Sequence, residues 1–325
     1  MRFIVYGAGA IGGVIGWSLQ DAGHEVVLVA RGPHLAAMQA DGLRLAWPDG
    51  SGTLPVTAVG DPADIDWRDS DVVIVAVKSQ QTAAVLDRLA ATAPETTPIV
   101  CAQNGVANEP ATLRVFPNVY GMLVMCPAGH LRPGEVIAYS SPTLAGFDIG
   151  RYPSGTDATS AAIVAALNDA PFDARDEPDI MRWKRRKLIM NLGNAVDAAS
   201  GMQARFGDLT RRAEAEGEAA LAAAGLDVAT VEEDAARRDG LLHMHRVDGE
   251  RHPGSSSWQS LARGTGDIEA DFLNGEVVLL GRLHEVPTPV NAGLQRVARD
   301  LAAGRREPGT MTEDELAAAV DADPT

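Results

Sequence analysis

The chain has 325 residues, enough for two ordinary domains, and its 46% hydrophobic and 22% charged composition is that of a folded globular protein rather than a disordered one. A formal charge of −16 argues against a surface for nucleic acid or anionic membrane, so an anionic ligand has to be held by local donors. Two cysteines, Cys101 and Cys126, cannot build a disulfide framework, and no apolar run approaches the roughly 18 residues of a membrane span, which points to a soluble protein of the reducing cytoplasm.

The first half alternates short apolar runs with helical patterns, the mark of a doubly wound parallel sheet. Arg2–Tyr6 reads as a strand, Ile11–Ala22 as a helix and Glu25–Val29 as a second strand. Asp71–Val77 (DVVIVAV) is apolar without alternation, as expected of a strand covered on both faces. A helix over Gln81–Ala93 and strands over Thr97–Ala102 and Val119–Met125 follow, and Gly134–Gly150 reads as antiparallel strands finishing the sheet. Two prolines and three acids cluster in Pro171–Pro178 and predict a domain boundary. Beyond it, Ala-, Leu- and charge-rich patterns predict helices near 179–201, 207–225, 228–246, 256–281 and 290–303. The expected organisation is an α/β Rossmann domain over 1–175, an all-α domain over 179–304 and an acidic tail over 305–325, with a short helix at Thr312–Val320.

Directly after the first strand stands Gly7-Ala8-Gly9-Ala10-Ile11-Gly12, a GxGxxG between strand and helix. In that setting Gly7 permits a tight turn, Gly9 lets backbone approach a pyrophosphate, and Gly12 lets helix and strand pack closely. The helix N-terminus then offers free N–H groups and the positive end of its dipole to phosphate. The tip of the second strand reads Val29-Ala30-Arg31-Gly32. It lacks the carboxylate that would bind the ribose 2′-hydroxyl of NAD, whereas Arg31 can pair with a 2′-phosphate, so the expected cofactor is NADP(H). Lys78 and Gln103-Asn104-Gly105 also follow strands, on the edge where open α/β sheets bind ligands.

Lys187, Asn191 and Asn194 stand at i, i+4 and i+7 of a predicted apolar helix, a spacing that lines them on one face. Such a polar stripe needs a polar destination, because burying each group unpaired costs on the order of 1–3 kcal/mol. A substrate site supplies one; a solvent-facing lysine with backbone-satisfied amides is the alternative. Ser255, Ser256 and Ser257 open another helix, where serine is also a good N-cap, and Glu269 lies downstream. His130 sits in a turn, and His243 and His245 fall on a predicted helix without a matching ligand set, so no metal is expected.

The segments GAGAIGG, VKSQQT, AQNG, KLIMNLGNA, SSSWQSL and IEADFLNGEVVLLGR together resemble the ketopantoate reductase (2-dehydropantoate 2-reductase) family, up to about residue 303. The resemblance implies a catalytic cleft between a Rossmann domain and a helical domain, NADPH as the hydride source, and a small 2-oxo acid as substrate. Lys187 matches the family's general acid, and Glu269, in the ExDxxNG motif, a residue that binds substrate and orients the lysine. Asn104, Asn191, Asn194, Ser256 and Ser257 are implied in substrate binding. Gly7, Ala8, Gly9, Ala10, Ile11, Gly12, Arg31, Lys78, Gln81 and Asn104 are implied in holding the cofactor. Two departures stand out: Asn194 follows Asn191 by three residues where the family usually has four, and the Gln259–Glu269 interval is one residue longer than usual. These leave open a reductase of another small 2-oxo acid and, further off, an NADP(H)-binding sensor without turnover. A homodimer is compatible with the resemblance.

Overall fold

A computed structural model of the chain describes residues 1–264 and 266–322, so the last three positions of the predicted tail lie outside the described residues. The chain divides into two compact units, one formed by residues 1–104, 108–184 and 232–252, the other by 105–107, 185–231 and 253–325.

The first unit opens with Arg2–Tyr6 (β1), Ala10–Asp21 (α1), Glu25–Val29 (β2), Gly32–Asp41 (α2), Leu43–Trp47 (β3), Gly50–Leu54 (β4), Thr57–Val59 (β5) and Asp71–Val75 (β6). Thr82–Ala90 (α3), Ile99–Cys101 (β7), Asn108–Leu113 (α4), Val119–Met125 (β8), Ala128–Gly129 (β9), Glu135–Ala138 (β10), Ala145–Arg151 (β11), Ala158–Asn168 (α5) and Phe172–Asp176 (β12) follow. The remaining elements are Ile180–Asn191 (α6), Asn194–Ser200 (α7), Asp208–Ala223 (α8), Val231–Arg238 (α9), Ser256–Ala262 (α10), Asn274–Leu283 (α11), Pro289–Ala303 (α12) and Glu313–Asp321 (α13).

An eight-stranded sheet runs in the order β12-β11-β8-β7-β6-β1-β2-β5. Every pairing is parallel except β11 with β8. Because side chains alternate across a strand, Phe3 and Val5 enter one core with Val72, Ile74 and Val100, while Ile4 and Tyr6 enter another with Val73, Val75 and Ile99. From β1 the chain winds outward through β2 to β5, then resumes at β6 on β1's other side. That reversal is the switch point at which doubly wound sheets hold ligands. The second unit is helical, with a core built from Leu192, Val196, Ala213, Leu221, Val277, Leu294 and Leu316 among others.

Several expectations are corrected. The stretch 171–178, read as a boundary, carries β12, which pairs in parallel with β11. Of the strands expected in Gly134–Gly150, only β11 joins the main sheet; β10 lies in a separate sheet of order β4-β3-β10-β9. The helix expected over 179–201 is broken into α6 and α7 at Leu192-Gly193, where Leu192 N donates to Ile189 O at 3.0 Å in a tightened last turn and Gly193 becomes the N-cap of α7. The helix expected over 256–281 is likewise divided into α10, a 3-10 turn at Glu269–Phe272 and α11. The one expected over 228–246 ends at Arg238, and residues 232–252 belong to the first unit, where Met244 bridges to Ser140. Cys101 is buried, its thiol pushed up to about 12 mainly by desolvation, whereas Cys126 is half-exposed.

Candidate active site

In the first unit the glycine loop lies at the end of β1. Gly7 has φ +101°, and a Cβ there would sit 2.7 Å from Val77 Cγ1 and 2.9 Å from Val77 N. A Cβ on Gly12 would collide with the Gly7 carbonyl oxygen, so α1 approaches β1 as the motif requires. Gly9 differs from both. Its φ of −72° suits any residue, and a Cβ built on it meets nothing within 4 Å. No protein atom demands glycine there, so the open backbone at the N-cap of α1 fits a group approaching from outside the chain. The first turn of α1 carries no acid to compete with phosphate. These features fit a dinucleotide's pyrophosphate, which Gly7–Gly12 would hold.

Arg31 follows β2, is exposed, and makes no side-chain hydrogen bond or ion pair with the described residues. Lys78, the N-cap of the 3-10 turn Ser79–Gln81 after β6, and Gln81, its last residue, are both half-buried. That turn is tied to the loop after β7. Asn104 O accepts from Asn108 Nδ2 at 3.1 Å and Ser79 Oγ at 3.4 Å, while Thr82 Oγ1 accepts from Gln103 Nε2 and donates to Asn108 Oδ1, both at 2.8 Å. The four strand ends beside the switch point thus bring together Gly7–Gly12, Arg31, Lys78, Gln81 and Asn104.

A residue that sequence reasoning passed over holds this loop from below. Lys184, in the first turns of α6, is buried, and its Nζ lies 2.6 Å from Glu109 Oε1. It also donates to the carbonyl of Gln103 at 2.8 Å and to those of Cys101 and Met122 at 3.3 Å. Within the run Lys184-Arg185-Arg186-Lys187 nothing in composition marks which cation is buried.

In the second unit, Lys187 is half-buried on α6, and Asn191, its last residue, is buried with no hydrogen-bond partner for Nδ2 among the described residues. Asn194 begins α7 rather than continuing α6. It is buried, and its Oδ1 also lacks a partner. Ser255 is the N-cap of α10, accepting from Trp258 N at 3.2 Å, so Ser256 and Ser257 are the first helical residues, the former half-buried and the latter buried. Asp197, fully buried on α7, accepts from Ser255 N at 2.7 Å and so fixes the start of α10. Glu269 is buried at the start of its 3-10 turn. Burial pushes the Arg263 guanidinium down, an effect opposed by the neighbouring Asp267 and Glu269 carboxylates. Asn274 Nδ2 donates to Leu192 O at 3.2 Å, satisfying a carbonyl freed where α6 breaks, and to Asn291 Oδ1 at 3.0 Å. Asp197, Arg263 and Asn274 were not singled out from sequence; Asn274 alone had a signal, as the Asn of the ExDxxNG motif.

Among the described residues no helix is long and apolar enough to cross a membrane, and no three His, Cys, Asp or Glu are grouped to hold a metal ion.

Residues 3–150 match the family model described as ketopantoate reductase PanE/ApbA, and residues 179–302 match its C-terminal model. A 2-dehydropantoate 2-reductase from Mesorhizobium japonicum is 29% identical over 94% of this chain and 99% of its own length. The crystal structure of a PanE/ApbA family ketopantoate reductase from Ralstonia eutropha JMP134 superimposes with a TM-score of 0.78 at 26% identity, covering 94% of this chain and 99% of its own. D-mandelate dehydrogenase, solved with NADH and anilino(oxo)acetate, has a TM-score of 0.79 at 20% identity over 94% of this chain and 99% of its own; that likeness is one of fold. With both of its halves matched, the chain belongs to the ketopantoate reductase family.

Proposed function

We propose that this chain reduces 2-dehydropantoate to pantoate with NADPH. The observation that carries the reading is Gly9, whose missing side chain serves no contact inside the protein and leaves the start of α1 open to a pyrophosphate. Arg31, exposed and unpaired beyond β2, supports the phosphorylated over the unphosphorylated cofactor. Bound NADPH supplies a hydride to the keto carbon of the substrate.

Lys187 donates a proton to the keto oxygen as the C=O bond becomes a C–O single bond. Glu269 orients Lys187 and binds the substrate hydroxyl, and exclusion of water on substrate binding favours proton transfer from the ammonium. Asn191 Nδ2, a buried donor with no acceptor, supports a polar contact to the substrate, with Asn104, Asn194, Ser256 and Ser257 completing the set. Lys78 and Gln81 join the glycine loop and Arg31 in holding the cofactor. The proposal extends to a cytoplasmic, homodimeric enzyme; the cytoplasm is supported by two cysteines that form no disulfide, and light scattering reads the assembly.

A second reading, reduction of another small 2-oxo acid, is favoured by the displacement of Asn194 onto a new helix. NADPH oxidation followed against a panel of 2-oxo acids separates the two. The first predicts the highest kcat/KM for 2-dehydropantoate; a higher value for another acid establishes the second, and no oxidation with any of them refutes both.

A further inference from the structure

One side-chain contact to the glycine loop comes from outside the motif. His34, half-buried on α2, approaches the Ala8 carbonyl oxygen with Nε2 at 2.7 Å, and its Nδ1 lies 2.8 Å from Gly134 N. A backbone N–H can only donate, so Nδ1 is the acceptor; a carbonyl can only accept, so Nε2 carries the proton. Both partners together fix a single neutral tautomer. The ring packs against His130 with centroids 4.2 Å apart and planes tilted by 49°, and His130 Nδ1 lies 2.9 Å from Glu135 O.

The consequence follows from peptide geometry. In a trans peptide the C=O and the next N–H point in opposite directions. With the Ala8 carbonyl drawn toward α2 by His34, the Gly9 N–H is turned the other way. Gly9 is the position at which an added Cβ would meet nothing within 4 Å. We propose that His34 is a positioning residue for the cofactor: by holding Ala8 O it orients the Gly9 N–H toward the pyrophosphate before the dinucleotide arrives. This rests on the reading of Gly7–Gly12 as a dinucleotide site. Because the pyrophosphate is common to both nicotinamide dinucleotides, His34 acts equally on NADPH and NADH, whereas Arg31 acts at the 2′-phosphate alone.

The test compares two side chains of nearly equal shape, one able to donate to Ala8 O and one not: H34Q and H34M. Equilibrium binding of NADPH and NADH is measured by nucleotide fluorescence, with no substrate present, alongside a melting curve. H34M is expected to weaken both dinucleotides by a similar factor, about tenfold, while H34Q stays within about threefold of the unmodified protein and R31A weakens NADPH selectively. A structural role alone would lower the melting temperature of H34M without separating it from H34Q in affinity. Affinities of H34M and H34Q within twofold of each other overturn the proposal. Where H34M does not fold, H34Q decides: retention within threefold upholds it and a tenfold loss overturns it. An unmodified protein that binds neither dinucleotide overturns the functional reading itself, and this inference with it.

Discussion

Lys184 and Glu109 form a buried ion pair with Nζ 2.6 Å from Oε1, and the same ammonium is shared with the carbonyls of Cys101, Gln103 and Met122. The lysine three residues before the proposed acid therefore has its donors committed inside the first unit. Its work is to hold the strand ends and the carbonyl next to Asn104. Removing one partner of a buried pair leaves an uncompensated charge and typically destabilises by about 3–5 kcal/mol. Lys184→Met should fall in that range by urea denaturation, and the double variant K184M/E109L should recover part of the loss. A single variant as stable as the unmodified protein would show the pair to be without structural weight.

Arg31→Ala should leave stability within about 0.5 kcal/mol, since the side chain is exposed and unpaired. Charge-assisted hydrogen bonds contribute about 1.5–3 kcal/mol each, so the preference for NADPH over NADH should fall by roughly ten- to a hundredfold. Steady-state kinetics with both dinucleotides reads the ratio, and an unchanged ratio removes Arg31 from the site.

Asn191 offers a test in which stability and activity move apart. Its Nδ2 is buried without a partner, so Asn191→Leu relieves an unsatisfied donor and should not lower the melting temperature. If the donor serves the substrate, KM for the keto acid rises by about tenfold or more in the same variant. A variant that loses stability and keeps KM would assign Asn191 to the core instead.

Burial pushes the His34 imidazole below its ordinary 6.5, against the smaller opposing effect of its hydrogen bond to Ala8 O. The unfolded chain takes up this proton as pH drops through about 6.5, and the folded chain only lower down. Stability is therefore lost as pH falls below 6.5 and is unaffected above it. Denaturation midpoints at about pH 7.5 and pH 5.5 should differ less in H34Q than in the unmodified protein; equal differences contradict the assignment.

The sheet was legible where burial on both faces wrote itself as unbroken apolar runs, as in Phe3–Tyr6 and Val72–Val75. It was not legible where pairing partners are distant or charged. β3 pairs with β10 some ninety residues on, and β4 is Gly-Ser-Gly-Thr-Leu, a poor strand by composition. β12 carries three charges because it is the sheet's edge, and so reads as a linker. The nearness of Thr210, which leaves no room for a Cβ on Gly193, is a contact no local pattern records. In the candidate site, the glycine loop and Arg31 were readable because their chemistry follows from their place after a strand. Helical spacing marked Lys187, Asn191 and Asn194 as a polar stripe, while the roles proposed for them, Glu269 and the serines came from resemblance. Lys184, Asp197 and His34 escaped because their partners, Glu109, Ser255 N and Ala8 O with Gly134 N, are far away in sequence.

The central claim is that the Lys187 ammonium delivers the proton to the reduced keto oxygen. The most direct measurement is kcat of K187A with NADPH and 2-dehydropantoate, with NADPH affinity determined separately by fluorescence. If Lys187 is the acid, kcat falls roughly a hundred- to ten-thousandfold with affinity for NADPH preserved. A kcat within a few-fold of the unmodified enzyme, at full cofactor occupancy, would contradict it.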